Sequence, residues 1–105
     1  MMITLVKIPG KVAVESDLSG VEAIYNKVAP NDYPEFVTFD EKYKIGMYVS
    51  DSGRLSLSGK NFVFNNRIVY GTVVFVGLDK EGSPVSLKKV QRAVIQDYLD
   101  HKSLR

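Results

Sequence analysis

The polar cluster Asn65-Asn66-Arg67 is the strongest candidate for a binding site in this chain of 105 residues. Two amides and a guanidinium stand directly before a long apolar run that continues to Gly77. An arginine can hold a carboxylate or a phosphate through two parallel hydrogen bonds, and the amides add donors and acceptors. The structural alternative is that the two asparagines form a turn and that Arg67 pairs with a nearby acid.

Lys60 and a tyrosine could complete such a site. The segment Ser58-Gly59-Lys60-Asn61 could offer backbone donors and one cation to an anion, although no helix signal follows it and an ordinary loop is the alternative. Tyrosine occurs six times. The residues that we assign to the predicted ligand- or partner-binding site are Asn65, Asn66, Arg67, Lys60 and Tyr48.

Catalysis finds little support in the sequence. The chain has no cysteine, which excludes thiolate nucleophiles, thiolate metal sites and disulfides, and its one histidine, His101, stands near the C-terminus. The adjacent acids Asp40-Glu41 fall at a predicted turn, without the apolar surroundings that raise the pKa of a carboxyl group. Neither glycine-rich phosphate-binding motif occurs. We therefore predict a protein that is not an enzyme and holds no cofactor or metal.

The charge balance bears on the partner. Fourteen basic and 12 acidic residues give a formal net charge of +2, which is too balanced to predict nucleic-acid binding from bulk electrostatics. Tyrosines interleaved with lysine and arginine keep nucleic acid as an alternative that is not favoured. The N-terminal stretch lacks the basic region of a signal peptide, and no segment approaches the roughly 18 apolar residues of a membrane span. Without cysteine staples, we expect a cytoplasmic protein with no membrane partner.

The elements that must position these residues centre on residues 67–77. This run is apolar on both faces, so it predicts one central strand covered on both sides. One predicted face carries Ile68, Tyr70, Val74 and Val76, and the other carries Val69, Val73 and Phe75.

Two helices are predicted, one in the N-terminal part of the chain and one at its C-terminal end. The first has a capping box formed by Ser19 and Glu22, and Pro30 ends it. The second has Ser86 as its N-cap and continues towards the C-terminus.

The strands complete the prediction. A strand over residues 2–8 and a short strand over residues 12–15 flank a turn at Pro9-Gly10. Alternating residues predict strands over 34–39 and 43–49, and the latter continues through a turn at 51–53 into a returning strand over 54–58. Residues 62–64 fit a strand or a buried loop. The sequence thus predicts a single α+β domain over residues 1–105, with a mostly antiparallel sheet of about five strands and two helices.

Several short motifs follow one another in a characteristic order: IPGK, DLSGVEAIYNKV, DYPEFV, NNRIVYGTVVFVG and EGSPVSL. In this order the chain resembles the domain-of-unknown-function family 3846, small proteins of Gram-positive bacteria, their phages and mobile elements. The shared features fall on Pro9-Gly10, Glu22, Tyr33 with Glu35, Asn66-Arg67, Gly71-Thr72 and Ser86-Leu87. Pro34 departs from the pattern by interrupting the Tyr-x-Glu segment. The resemblance implies a setting, that of a phage or mobile-element accessory protein, rather than a reaction.

Taken together, these features predict a non-enzymatic accessory protein that acts by stoichiometric binding, as an inhibitor of a host or defence component. It would either mask a protein surface, in the manner of an anti-CRISPR protein, or sequester a nucleotide-like signal. Its partner would be a host or defence protein, or a small anionic ligand. The alternatives are a nucleic-acid-associated accessory factor and a small structural module that forms homo-oligomers through its strand edges.

Overall fold

The computed structural model describes residues 2–29, 34–50 and 59–103. Within these ranges the chain forms eight strands and two helices. In chain order they are β1 (Ile3–Lys7), β2 (Val14–Asp17), α1 (Val21–Val28), β3 (Pro34–Asp40), β4 (Ile45–Ser50), β5 (Lys60–Phe64), β6 (Arg67–Tyr70), β7 (Val73–Leu78), β8 (Pro84–Val85) and α2 (Lys89–Lys102).

The main sheet has the strand order β2-β1-β7-β4-β3, and the short strand β8 also pairs with β7. Every pairing between neighbouring strands is antiparallel. Strands β5 and β6 form a separate antiparallel hairpin. The predicted α+β fold with a mostly antiparallel sheet and two helices is confirmed. The main sheet has six strands, close to the five expected.

Strand β7 is covered on both faces. Val73 and Phe75 belong to one core, which also contains α2 residues and the β5–β6 hairpin, while Val74 and Val76 belong to a second core with α1. All four side chains are 0% exposed. The predicted two-sided burial, with these residues on these faces, is therefore confirmed for the second half of the run 67–77.

The prediction of one continuous strand over residues 67–77 is wrong. The chain breaks at Gly71, whose φ of 78° lies in the left-handed region that side chains other than glycine rarely adopt. The break is held in place because the Asn61 amide nitrogen donates a hydrogen bond to the Gly71 carbonyl at 2.8 Å. The first half of the run therefore leaves the main sheet as β6, where Ile68 is 39% exposed.

The two helices lie near their predicted positions, but both predicted N-caps are wrong. Helix α1 begins after Gly20, which has a φ of 92° and offers no side chain, so Ser19 does not cap it. The Ser86 hydroxyl instead accepts a hydrogen bond from the Ile3 backbone at 2.9 Å, and this ties the start of α2 to β1. Lys88 is the N-cap residue of α2, and its backbone N–H donates to the Gln91 side chain at 2.7 Å.

The remaining strand predictions divide into two groups. The N-terminal hairpin and the strands β3 and β4 are confirmed, with small shifts of their ends, and residues 62–64 lie in strand β5. The predicted helix end at Pro30, the turn at 51–53 and the returning strand at 54–58 lie outside the described residues.

Candidate functional site

Asn65 and Asn66 form the two-residue turn between β5 and β6. Their φ angles are 50° and 61°, and the flanking residues Phe64 and Arg67 face each other in the strand register. Positive φ at both central residues marks a type I′ turn, which matches the twist of the two strands it joins. Asparagine tolerates this conformation better than most residues, so the sequence itself favours the turn. The turn that the sequence analysis kept as an alternative is therefore present.

Arg67 is the first residue after this turn, and its side chain is exposed. The other half of the structural alternative was that Arg67 pairs with a nearby acid. In the described part of the chain the ion pair found is between Arg92 and Glu15, with the atoms 3.9 Å apart, and Arg67 forms none. Its guanidinium thus keeps its donors for water or a ligand as far as the described residues are concerned.

Aromatic packing holds the β5–β6 hairpin against the sheet and α2. The ring of Phe64 stacks on Phe39 of β3 with their centroids 5.5 Å apart, and Phe39 meets the edge of Tyr98 at 5.0 Å. The Tyr98 hydroxyl donates a hydrogen bond of 2.7 Å to the Val63 carbonyl. Burial raises the pKa of Tyr98, so the hydroxyl keeps its proton and its role as donor at neutral pH. The turn that carries Arg67 is therefore fixed to a rigid support.

A cleft of about 630 Å³ lies between this hairpin and strands β3 and β4. The described residues that line it are Glu35, Val37, Met47, Val49, Ser50, Phe64, Asn65, Arg67, Ile68, Val69 and Tyr70. Its floor is apolar, since Met47 and Val49 are buried and Val37, Phe64 and Val69 pack against the core. Its rim is polar and exposed, with Arg67 and Asn65 on one side and Glu35 on the other. Ligand sites in proteins have this size and this mixture of apolar walls and few polar groups.

The chemistry of the cleft suits recognition. Arg67 offers a planar set of donors to an anionic group, and the half-buried rings of Phe64 and Tyr70 offer apolar surface to a flat ligand body. Glu35 repels anions, so the lining favours a ligand whose anionic group lies near Arg67 and away from Glu35. Among the described lining residues, no nucleophile is hydrogen-bonded to a base, the arrangement that covalent catalysis requires.

The structure brings only part of the predicted site together. Asn65 and Arg67 line the cleft, but Asn66 and Lys60 are absent from its lining. Lys60 faces Tyr70 at the far end of the hairpin, four residues along β5 from Phe64, which is roughly 13 Å at the rise of a strand. Lys60 and Arg67 therefore stand at opposite ends of the same small sheet.

Tyr48 lies on the opposite face of the main sheet. Its neighbours Met47 and Val49 point to the cleft side, so the alternation of a strand turns Tyr48 towards α1. Its ring meets Phe36 at 5.2 Å and Tyr25 at 5.8 Å, both edge to face. Burial, and to a lesser extent the nearby Tyr25, raise the pKa of Tyr48.

The apolar and aromatic lining of the cleft was not predicted from the sequence. Phe64 and Tyr70 supply the aromatic surface that was expected from Tyr48, because they flank the same hairpin as Arg67. Glu35 was noted in the resemblance but not as part of the site. The sequence did carry a signal for Phe64 and Tyr70. Two strands joined by a two-residue turn place their residues side by side, so residues of this hairpin can be expected near Arg67.

Two further findings concern membranes and metals. No helix in residues 2–29, 34–50 and 59–103 is both long and apolar enough to cross a membrane. In the same residues, no three or more histidine, cysteine, aspartate or glutamate side chains come together in a group that could hold a metal ion.

Comparisons of the chain with protein-family models, with curated proteins and with solved structures give no match. The resemblance to the domain-of-unknown-function family 3846 stays a prediction. Its motifs have structural places in the fold: Pro9-Gly10 forms the β1–β2 turn and Gly71-Thr72 joins β6 to β7.

Proposed function

We propose that this protein is a stoichiometric binding protein without catalytic turnover, and that it sequesters a small, nucleotide-like ligand in the cleft beside the β5–β6 hairpin. The observation that carries the proposal is the position of Arg67, which directly follows the Asn65-Asn66 turn at the rim of an apolar cleft of about 630 Å³. A base or another flat group would lie over the apolar floor. Its phosphate would be held by the guanidinium.

The distribution of exposed apolar side chains favours sequestration over masking of a protein surface. Large exposed apolar residues are spread over the described parts of the chain, for example Val12 in the β1–β2 connection, Phe36 on the α1 face of β3 and Val90 on α2. A protein-masking surface would gather such residues into one patch. A concave site with one arginine fits a small molecule better than a flat partner.

The biological setting rests on the sequence resemblance. A phage or mobile-element protein that removes a nucleotide-like signal from the cytoplasm would inhibit the host or defence component that responds to this signal. Such an inhibitor needs no catalytic group, since binding alone lowers the free concentration of the signal. It must, however, accumulate to a concentration comparable with that of its ligand.

Native mass spectrometry of the protein purified from a bacterial lysate tests the proposal, with a denatured sample as reference. We expect a small molecule bound to the native wild type and absent from the denatured sample, with its mass giving its class. Arg67→Ala purified in parallel should lose it, whereas Lys60→Ala, at the other end of the hairpin, should retain it. Retention of the same molecule by Arg67→Ala would contradict the proposed cleft. A co-purifying protein or nucleic acid in place of a small molecule would contradict sequestration.

A further inference from the structure

A second cavity lies where the β1–β2 connection meets the C-terminal half of α2. Its volume is about 310 Å³. The described residues that line it include Lys7, Lys11, Ala13, Gln96 and Asp100. The Gln96 side chain donates a hydrogen bond of 3.1 Å to the Ala13 carbonyl and joins the two walls. A water molecule occupies about 30 Å³ in the liquid, so the cavity has room for a small organic molecule.

Lys7 stands out in this lining because it is only 2% exposed. It is the last residue of β1, and strand alternation places it on the same face as Leu5, which belongs to the core that contains Phe62 and Phe75. The Asn61 side chain donates a hydrogen bond of 2.9 Å to the Lys7 carbonyl, so its backbone is fixed. Lysine is rarely buried to this degree unless its charge is paired.

The partly buried Lys7 amine has few partners among the described residues. It donates one hydrogen bond, to the neighbouring Ile8 carbonyl at 3.3 Å. Among the described residues no carboxylate forms an ion pair with it, although Asp100 lines the same cavity. The titratable groups that share the cavity with Lys7 in the described chain are Lys11 on the β1–β2 connection and Asp100 on α2. Burial lowers the pKa of Lys7, which increases the fraction of neutral, nucleophilic amine near neutral pH.

We propose that Lys7 is a nucleophilic amine that captures a small carbonyl compound in this cavity as an imine. We choose a 2-oxo acid as the carbonyl compound, because the exposed cation Lys11 can meet its carboxylate when that carboxylate lies away from Asp100. This site is separate from the Arg67 cleft, and the inference does not depend on the proposed function.

The capture is a condensation without any change of oxidation state. The lone pair of the neutral Lys7 amine forms a bond to the carbonyl carbon, and the carbonyl oxygen takes up a proton to give a carbinolamine. The carbon–oxygen bond then breaks, the oxygen leaves as water with the second proton of the nitrogen, and a carbon–nitrogen double bond remains. A partly buried amine beside a cavity is an arrangement that lysine-based covalent chemistry uses. Water re-entering the cavity reverses the reaction, so the adduct must be trapped to be observed.

Reductive trapping with pyruvate tests this proposal. The wild-type protein is incubated with pyruvate and sodium cyanoborohydride at neutral pH, and the modified lysines are identified by peptide mapping. We expect the first adduct on Lys7, formed faster than on Lys27, an exposed lysine of α1 that serves as the internal control.

Lys7→Arg provides the matched variant, since it keeps a cation of similar length and removes the nucleophile. The fast adduct should be lost, while labelling of Lys27 should continue at the wild-type rate. Labelling of Lys7 no faster than Lys27 in the wild type would overturn the proposal, and that comparison within one molecule holds even if Lys7→Arg fails to fold. A fast adduct on another lysine would overturn it equally.

Discussion

Strands β6 and β7 are consecutive in the sequence and similar in composition, yet they occupy different environments. Strand β7 lies between β1 and β4 and is buried by α1 on one face and by the hairpin and α2 on the other. Strand β6 pairs with β5 alone in its small sheet and exposes Arg67 and Ile68. The difference shows that the packing partners of each half of this apolar run decide its role. Strand β7 supports the fold, and strand β6 carries the proposed site.

The largest contrast should appear when a large apolar residue is removed from each strand. Phe75→Ala in β7 should lower the free energy of unfolding by about 3–5 kcal/mol, because it leaves a cavity in the core. Ile68→Ala in β6 should cost less than about 1 kcal/mol, since this side chain is already partly in water. Chemical denaturation measures both values. Equal losses would contradict the division between a structural strand and an exposed one.

Asn61 fastens the hairpin to the main sheet, so its removal should have the next largest effect. Its amide nitrogen bridges the Lys7 carbonyl at 2.9 Å and the Gly71 carbonyl at 2.8 Å. Asn61→Ala leaves both acceptors without this donor and should cost about 1–3 kcal/mol. Asn26→Ala, at an exposed position of α1, is the control and should change stability by less than about 0.5 kcal/mol. A near-neutral Asn61→Ala would show that the aromatic contacts and the Tyr98–Val63 hydrogen bond hold the hairpin without Asn61.

Gly71 allows the chain to leave one strand and enter the other. Gly71→Ala places a Cβ on a residue with a φ of 78°, which should cost roughly 1–2 kcal/mol. Thr72→Ala, at the adjacent position with no positive φ, should cost less. Thermal unfolding of the two variants compares them. If Gly71→Ala were as stable as the wild type, the two strands would not need a left-handed residue between them.

The smallest effect concerns Tyr48, which faces Val74 of β7 in the strand register. Burial raises the pKa of Tyr48 above its usual value of 10.0, so the folded protein disfavours the ionised ring. The contribution of the neutral Tyr48 ring to the free energy of unfolding is fully present below pH 10. It is lost as the pH rises from there towards the pKa of Tyr48 in the folded protein. Tyr48→Phe should therefore lose less stability than the wild type in this alkaline range, as measured by denaturation at several pH values. Parallel pH curves would contradict the burial of a titrating ring.

Much of the fold could be predicted because local patterns agree with it. Alternation gave β3 and β4, and the apolar positions of α1, Ile24 and Val28, face the sheet as helical spacing requires. The two N-cap predictions were wrong for different reasons. The Ser86 hydroxyl binds the β1 backbone, which is a tertiary contact. At α1 the reason is local, because the left-handed Gly20 takes the cap position. Neither competing interaction is visible in the spacing of residues.

The candidate site was predictable only in part. Arg67 and Asn65 were identified because polar residues before an apolar run are conspicuous, and both line the cleft. The opposite wall, which includes Glu35 and Val37, comes from a distant part of the chain, and only the folded structure brings it near. The sequence alone could have excluded Tyr48 from the site, because alternation with Met47 and Val49 places Tyr48 on the opposite face of strand β4.

The measurement that tests the account most directly is calorimetric titration of wild type, Arg67→Ala and Lys60→Ala with adenosine monophosphate. The wild type and Lys60→Ala should bind with similar affinity. Arg67→Ala should bind about 10- to 150-fold more weakly, since a hydrogen bond to a charged group contributes about 1.5–3 kcal/mol. Its free energy of unfolding should stay within about 0.5 kcal/mol of the wild type, because the side chain is exposed. Equal affinity of Arg67→Ala and wild type, or no heat of binding in any of the three, would contradict the assignment of the cleft at the turn end of the hairpin as a recognition site for a nucleotide-like ligand.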